Sequence, residues 1–265
     1  MSTAIVITSG KGGVGKTTSS ANIGTALALQ GKKVCMVDLD IGLRNLDIVM
    51  GLENRIVFDI VDVVNGECEL SQALVHDKRV PGLALLPAAQ HRDKFVITPE
   101  QSKQIVDNLG ELFDFIILDC PAGIEHGFRV AVAGAHQALV ITTPENAAVR
   151  DADRVIGMLE SANIMSPKLV INRIRPKMVR SGDMLDIDEI VQLLGIDLIG
   201  IVPDDETVIS NANKGEPTVL KPDSKASLAY RNIARRILGD TVPLMSLEDE
   251  PTGLWSRMRR LISGR

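Results

Sequence analysis

Seven short apolar runs, rich in Val and Ile and spread along the chain, constrain the fold more than any other feature of this sequence. They are AIVIT (4–8), KVCMVD (33–38), LALLP (83–87), FIILD (115–119), ALVIT (138–142), KLVIN (168–172) and LIGIV (198–202). Each is apolar on consecutive positions, the pattern of a strand covered on both faces. Helical patterns lie between and after them, at 16–30, 99–110, 125–135, 145–162, 186–194, 205–213 and 225–238. This alternation predicts an α/β fold with a single, mostly parallel, doubly wound sheet. Right-handed crossovers then place helices on both faces. With aromatics at only 3% of the residues, the core must be aliphatic.

The first run leads directly into GKGGVGKTT (10–18), which fits G-x-x-x-x-G-K-[ST] between a strand and a helix. Glycines let a backbone wrap phosphates so that its N–H groups point inward. The positive end of the following helix favours the same anion. Gly10, Lys11, Gly12, Gly13, Val14, Gly15, Lys16, Thr17 and Thr18 are therefore candidate phosphate ligands. Lys16 is placed to reach the β and γ phosphates and Thr17 to offer a hydroxyl to Mg²⁺. Lys11 adds a second cation, a solvated lysine or one that meets phosphate of its own or of a second subunit. Two strands end in carboxylates, VDLD at Asp38 and Asp40 and LDCPAG at Asp119. Ligands of open α/β sheets sit at these carboxyl ends. Thr17, Asp40 and Asp119 are thus the metal candidates, with helix capping the alternative role for each aspartate.

Composition narrows the remaining classes. The net charge is −5 and the four histidines show no metal-ligand spacing. Mild acidity argues against specific nucleic-acid binding. Cys35, Cys68 and Cys120 form no CxxC pair and read as reduced thiols of a cytosolic protein. No run reaches the roughly 18 apolar residues of a membrane span, and the N-terminus lacks the basic start of a signal peptide. A cytoplasmic protein is expected.

Together, GKGGVGKTT with its extra Lys11, VDLDIGLRNLD, LDCPAG and TPENAAVRDADRVIG (143–157) resemble the deviant Walker-A ATPases. That group includes the ParA-type partition proteins, and the likeness extends over nearly the whole chain to its septum-positioning branch. The resemblance implies ATP and Mg²⁺ as cofactors and a face-to-face homodimer in ATP, with Lys11 crossing to the partner's phosphates. It implies that Asp40 orients the attacking water, making Lys11, Lys16 and Asp40 the catalytic candidates. It places the adenine against Asn172, Arg173, Pro203, Asp204 and Asp205. It further implies a MinC-like inhibitor of septum assembly and a MinE-like activator of hydrolysis, with the helix opened by VRDADR (149–154) a docking candidate. The alternatives are a ParA-like DNA partition ATPase or a flagellar-number regulator of the same group. Cys120 has no partner for the paired-cysteine cluster of nitrogenase iron proteins.

The chain ends GLWSRMRRLISGR (253–265), with four arginines, no acidic residue and the single tryptophan. On a helix, Leu254, Trp255, Met258, Leu261 and Ile262 share an arc of about 120°, with Arg257, Arg259 and Arg260 outside it. This is the pattern of an amphipathic helix that lies on an anionic membrane surface; a helix packed on the domain is the alternative. The expected division is an ATPase domain at 1–245, an acidic linker at 246–252 and a membrane-targeting helix at 253–265. The expected cycle runs between the cytoplasm and the inner face of the cell membrane.

Overall fold

The computed structural model describes residues 2–92 and 95–245. The linker and the terminal helix expected at 246–265 lie outside the described residues. Eight strands make one sheet: β1 (Thr3–Thr8), β2 (Val34–Asp38), β3 (Val75–His76), β4 (Leu83–Leu86), β5 (Phe115–Asp119), β6 (Gln137–Thr142), β7 (Lys168–Ile174) and β8 (Leu198–Pro203). Their order is β3-β4-β2-β5-β1-β6-β7-β8. Every pairing is parallel except β3 with β4. The two-residue antiparallel β3 is an addition to the seven predicted strands. Their predicted limits agree with those observed to within two residues.

The helices are α1 (Lys16–Leu29), α2 (Leu46–Met50), α3 (Ile60–Val64), α4 (Leu70–Ala73), α5 (Pro99–Gly110), α6 (His126–Ala133), α7 (Asn146–Ser161), α8 (Pro176–Arg180), α9 (Ile187–Leu194), α10 (Glu206–Ala212) and α11 (Lys225–Ile237). The seven helices predicted from periodicity are all present. Their ends follow local chemistry. Thr98 caps α5 ahead of Pro99, with Gln101 completing a capping box. The Asp186 carboxylate accepts the Glu189 N–H at the start of α9, and Gly195 in the left-handed region ends it.

Alternating strand residues feed two cores. Val6, Val37, Leu118 and Val140 face one side, with α5, α6, α7 and α9. Ile5, Ile7, Met36 and Ile117 face the other, with α1 and α11. Helix α1 is buried nearly all round, which explains its run of small residues. At Gly24 a Cβ would lie 2.7 Å from the Met36 sulfur, so glycine lets α1 settle closely on β2 without moving that side chain. The single tyrosine, Tyr230 of α11, is fully buried, with its hydroxyl 3.3 Å from Ser19 Oγ on α1. Burial pushes its phenol up to about 12.

Burial also separates the thiols. It raises Cys35 well above the usual range and Cys120 to about 12; Cys68 is raised too, by burial and the carboxylates around it, but is only half-buried and so open to reagent. Iodoacetamide on the native protein should therefore modify Cys68 alone, and all three after unfolding, because the thiolate is the nucleophile. Peptide mass mapping reads this directly.

Candidate functional site

The phosphate loop joins β1 to α1 at the carboxyl ends of β1, β2 and β5. Gly15 precedes the first turn of α1 at φ 96°, where no side-chain cap interrupts the exposed N–H groups. Gly13, at φ 81°, makes the other turn that an L residue resists. The Asn172 side chain, from β7, donates 2.8 Å to the Val14 carbonyl and pins the loop from the side. Ser9 Oγ donates to the Lys11 carbonyl at 2.7 Å. Gly10 packs hard on α7: a Cβ there would stand 2.1 Å from the Asp151 carbonyl oxygen.

The two lysines of the loop have opposite environments. Lys16 is 7% exposed, held among Asp40 and Asp119, whose carboxylates its charge favours. Lys11 is exposed. Asp38 and Asp119 lie side by side in the register of β2 and β5. Asp38 accepts the backbone N–H groups of Asp40, Asn45 and Leu46 at 2.9, 3.3 and 3.2 Å, so it shapes the 40–46 loop from inside. Burial raises its carboxyl, and the Asp119 charge raises it further. Asp119 accepts from Ser20 Oγ at 2.7 Å. Burial raises it too, opposed by hydroxyl donation from Ser20 and Thr17 and by Lys16. Asp40 is raised by burial and lowered by Lys16.

Such a cluster of raised carboxyls around one cation is short of positive charge. Oxygen donors from Thr17, Asp40 and Asp119 suit a hard divalent ion such as Mg²⁺, which takes one or two carboxylates plus phosphate oxygens. The residues present fit that ion.

Beside the loop lies a cleft of about 150 Å³ lined by Gly15, Thr18, Asn172, Arg173 and Pro203 to Asp205. The residues expected at the adenine are thus brought together next to the phosphate loop. Their acidic side chains are already engaged. Asp204 pairs with Arg175 at 2.6 Å. Asp205 caps α10 through Thr207 and also accepts the Ala226 N–H at the start of α11. The opposite wall of the cleft is α10, with Val208, Ile209 and Ala212. Those apolar residues were not singled out in the sequence, although a helix cap at Asp205 signals where the wall begins. Ser20 and Asp151 were missed as well.

Comparisons with known proteins find relatives over nearly the full length of this chain. A family model described as the CobQ/CobB/MinD/ParA nucleotide binding domain matches residues 5–219. The septum site-determining protein MinD of Bacillus subtilis (strain 168) is 61% identical over 261 residues, 98% of this chain and 97% of that protein. The MinD of Synechocystis sp. is 52% identical over 265 residues, the full length of both. Among solved structures, a chain of the MinC:MinD cell division protein complex from Aquifex aeolicus gives a TM-score of 0.87 at 48% identity, over 92% of this chain and 99% of that one. MinD complexed with Mg-ADP from Pyrococcus horikoshii OT3 gives 0.82 at 28% identity, over 91% and 100%. Likeness over nearly the full length, on a phosphate loop folded as its motif requires, shows that this chain belongs to the CobQ/CobB/MinD/ParA nucleotide-binding family and is an ATPase of that family.

Proposed function

We propose that this division-site ATPase works as a dimer-gated membrane switch. The contrast between buried Lys16 and exposed Lys11 carries the reading. One lysine serves the phosphates of its own subunit. The other, at the surface of the same loop, pairs with no carboxylate among the described residues and reaches the phosphates of a second copy, much as an arginine finger acts in trans.

The loop N–H groups from Gly10 to Thr18 hold the phosphate chain, and the cleft between Asn172–Arg173 and α10 holds the base. Thr17, Asp40 and Asp119 would hold Mg²⁺, which would supply positive charge against the phosphates. Asp38 fixes the 40–46 loop, so Asp40 meets the attacking water at a set position. The dimer recruits a MinC-like inhibitor, as the Aquifex aeolicus complex supports. A MinE-like activator stimulates hydrolysis.

The 253–265 segment supplies the membrane attachment. Each arginine near an anionic leaflet contributes about 1 kcal/mol. One tail binds weakly, whereas the second tail of a dimer binds within an attached particle and raises avidity by ~10²–10⁴. ATP thereby brings the protein to the membrane, and hydrolysis returns it to the cytoplasm.

Lys11→Ala tests the trans role. Nucleotide affinity should stay within a few-fold of the parent, while the ATP-dependent doubling of mass in light scattering disappears. A normal ATP dimer in that variant removes the role given to Lys11.

A further inference from the structure

A groove of about 460 Å³ opens between the start of α7, the loop after α8 and the start of α9, outside the nucleotide site. Four carboxylates line it, from Glu145, Asp183, Asp186 and Glu189. Among the described residues its lining holds no cation. All four side chains belong to exposed residues, while Val179 and Leu185 give it a half-buried apolar floor. An acidic rim over an apolar floor is the complement of a basic amphipathic helix.

The chain carries such a segment, and it begins within reach. Arg236 of α11 donates to the carbonyls of Val242, Pro243 and Ile199, which holds the end of the described chain against the start of β8. β8 is the outermost strand of the sheet, so a path around its edge crosses no other strand. Helix α9 lies just before β8 in the chain, and its eight residues span about 12 Å from the groove end to the β8 end. Residues 246–252 span up to about 25 Å when extended. We propose that, without a membrane, residues 253–265 dock in this groove of their own chain, with Arg257, Arg259 and Arg260 on the four carboxylates and the Leu254–Ile262 stripe on Val179 and Leu185.

Tethering makes weak contacts sufficient, because a short linker presents the segment at about millimolar effective concentration. Anionic lipid competes for the same arginines and the same apolar face. Docking thus withholds the segment until a membrane displaces it. Helix α7 connects the groove to the nucleotide, since its N-cap Glu145 borders the groove and its Asp151 backbone lies against Gly10 of the phosphate loop.

The proposal rests on the amphipathic reading of 253–265 and not on its membrane role, so a test without lipid separates the two. Acrylamide quenching of Trp255 is measured in the full-length chain with ADP–Mg²⁺, against the free 253–265 peptide as the exposed reference. The expected quenching constant is several-fold below that of the peptide and independent of protein concentration. Asp183→Lys with Glu189→Lys should return it to the peptide value. So should Arg259→Glu with Arg260→Glu, a change outside the described residues. Peptide-like quenching in the parent chain overturns the proposal. Protection indifferent to both double variants places the tail elsewhere and overturns it as well. Protection that grows with concentration assigns the groove to a second copy's tail and likewise overturns it.

Discussion

Lys16→Ala should lower ATP turnover by about 10²–10³-fold, the loss typical when one preorganised group that stabilises transition-state charge is removed. Lys16 is 7% exposed at the first turn of α1, and its charge offsets both Asp40 and Asp119. Without it, half-buried Asp40 and buried Asp119 lose the cation that offsets both. Nucleotide affinity should fall too, but less than turnover, because the loop N–H groups still hold the α and β phosphates. Lys16→Arg should not rescue turnover. A planar guanidinium does not replace a compact ammonium on a narrow buried path. Phosphate release in multiple turnover, with nucleotide affinity measured alongside, separates the two effects.

Gly10→Ala should weaken nucleotide binding by roughly 10–100-fold, through strain rather than lost charge. A methyl at Gly10 would stand 2.1 Å from the Asp151 carbonyl oxygen and 2.6 Å from the Asp151 Cβ. The obstacle is helix backbone, so either the loop lifts from its phosphate-binding shape or α7 shifts outward. Overpacking of this kind costs about 1–3 kcal/mol, roughly 5–150-fold in affinity when the strain falls on the bound form, a span that brackets the expected loss. Gly12→Ala is the control. A Cβ there meets only Ala122 Cβ, at 3.7 Å, an ordinary contact. Calorimetric titration with ADP–Mg²⁺ should place Gly12→Ala near the parent and Gly10→Ala far below it.

The parallel sheet was legible because its strands are buried on both faces and so appear as unbroken apolar runs. Strand β3 was not, since Val75–His76 is too short to show any pattern. Helices α2, α3, α4 and α8 have four or five residues each, about one turn, which is below the length at which a 3.6-residue period becomes visible. The phosphate loop was legible for a different reason. Its chemistry is done by backbone N–H groups, so the requirement for glycine is written into the sequence. Contacts made by side chains from distant elements were not written there. Nothing in SSANIG marks Ser20 as the donor to Asp119, ninety-nine residues away. Resemblance placed Asp204 and Asp205 beside the adenine, yet only the folded chain shows their carboxylates holding Arg175, α10 and α11.

The central claim is that ATP, acting through a dimer, places residues 253–265 on a membrane. Trp255 is the single tryptophan and lies within that segment. Energy transfer from Trp255 to dansyl-labelled anionic phospholipid vesicles, with ADP–Mg²⁺ and then with ATP–Mg²⁺, reads contact between segment and lipid whether or not the tail is sheltered beforehand. The account predicts strong transfer in ATP, little in ADP, and its loss when hydrolysis is complete. Equal transfer with both nucleotides, or none with ATP under conditions where ATP is bound, would contradict it.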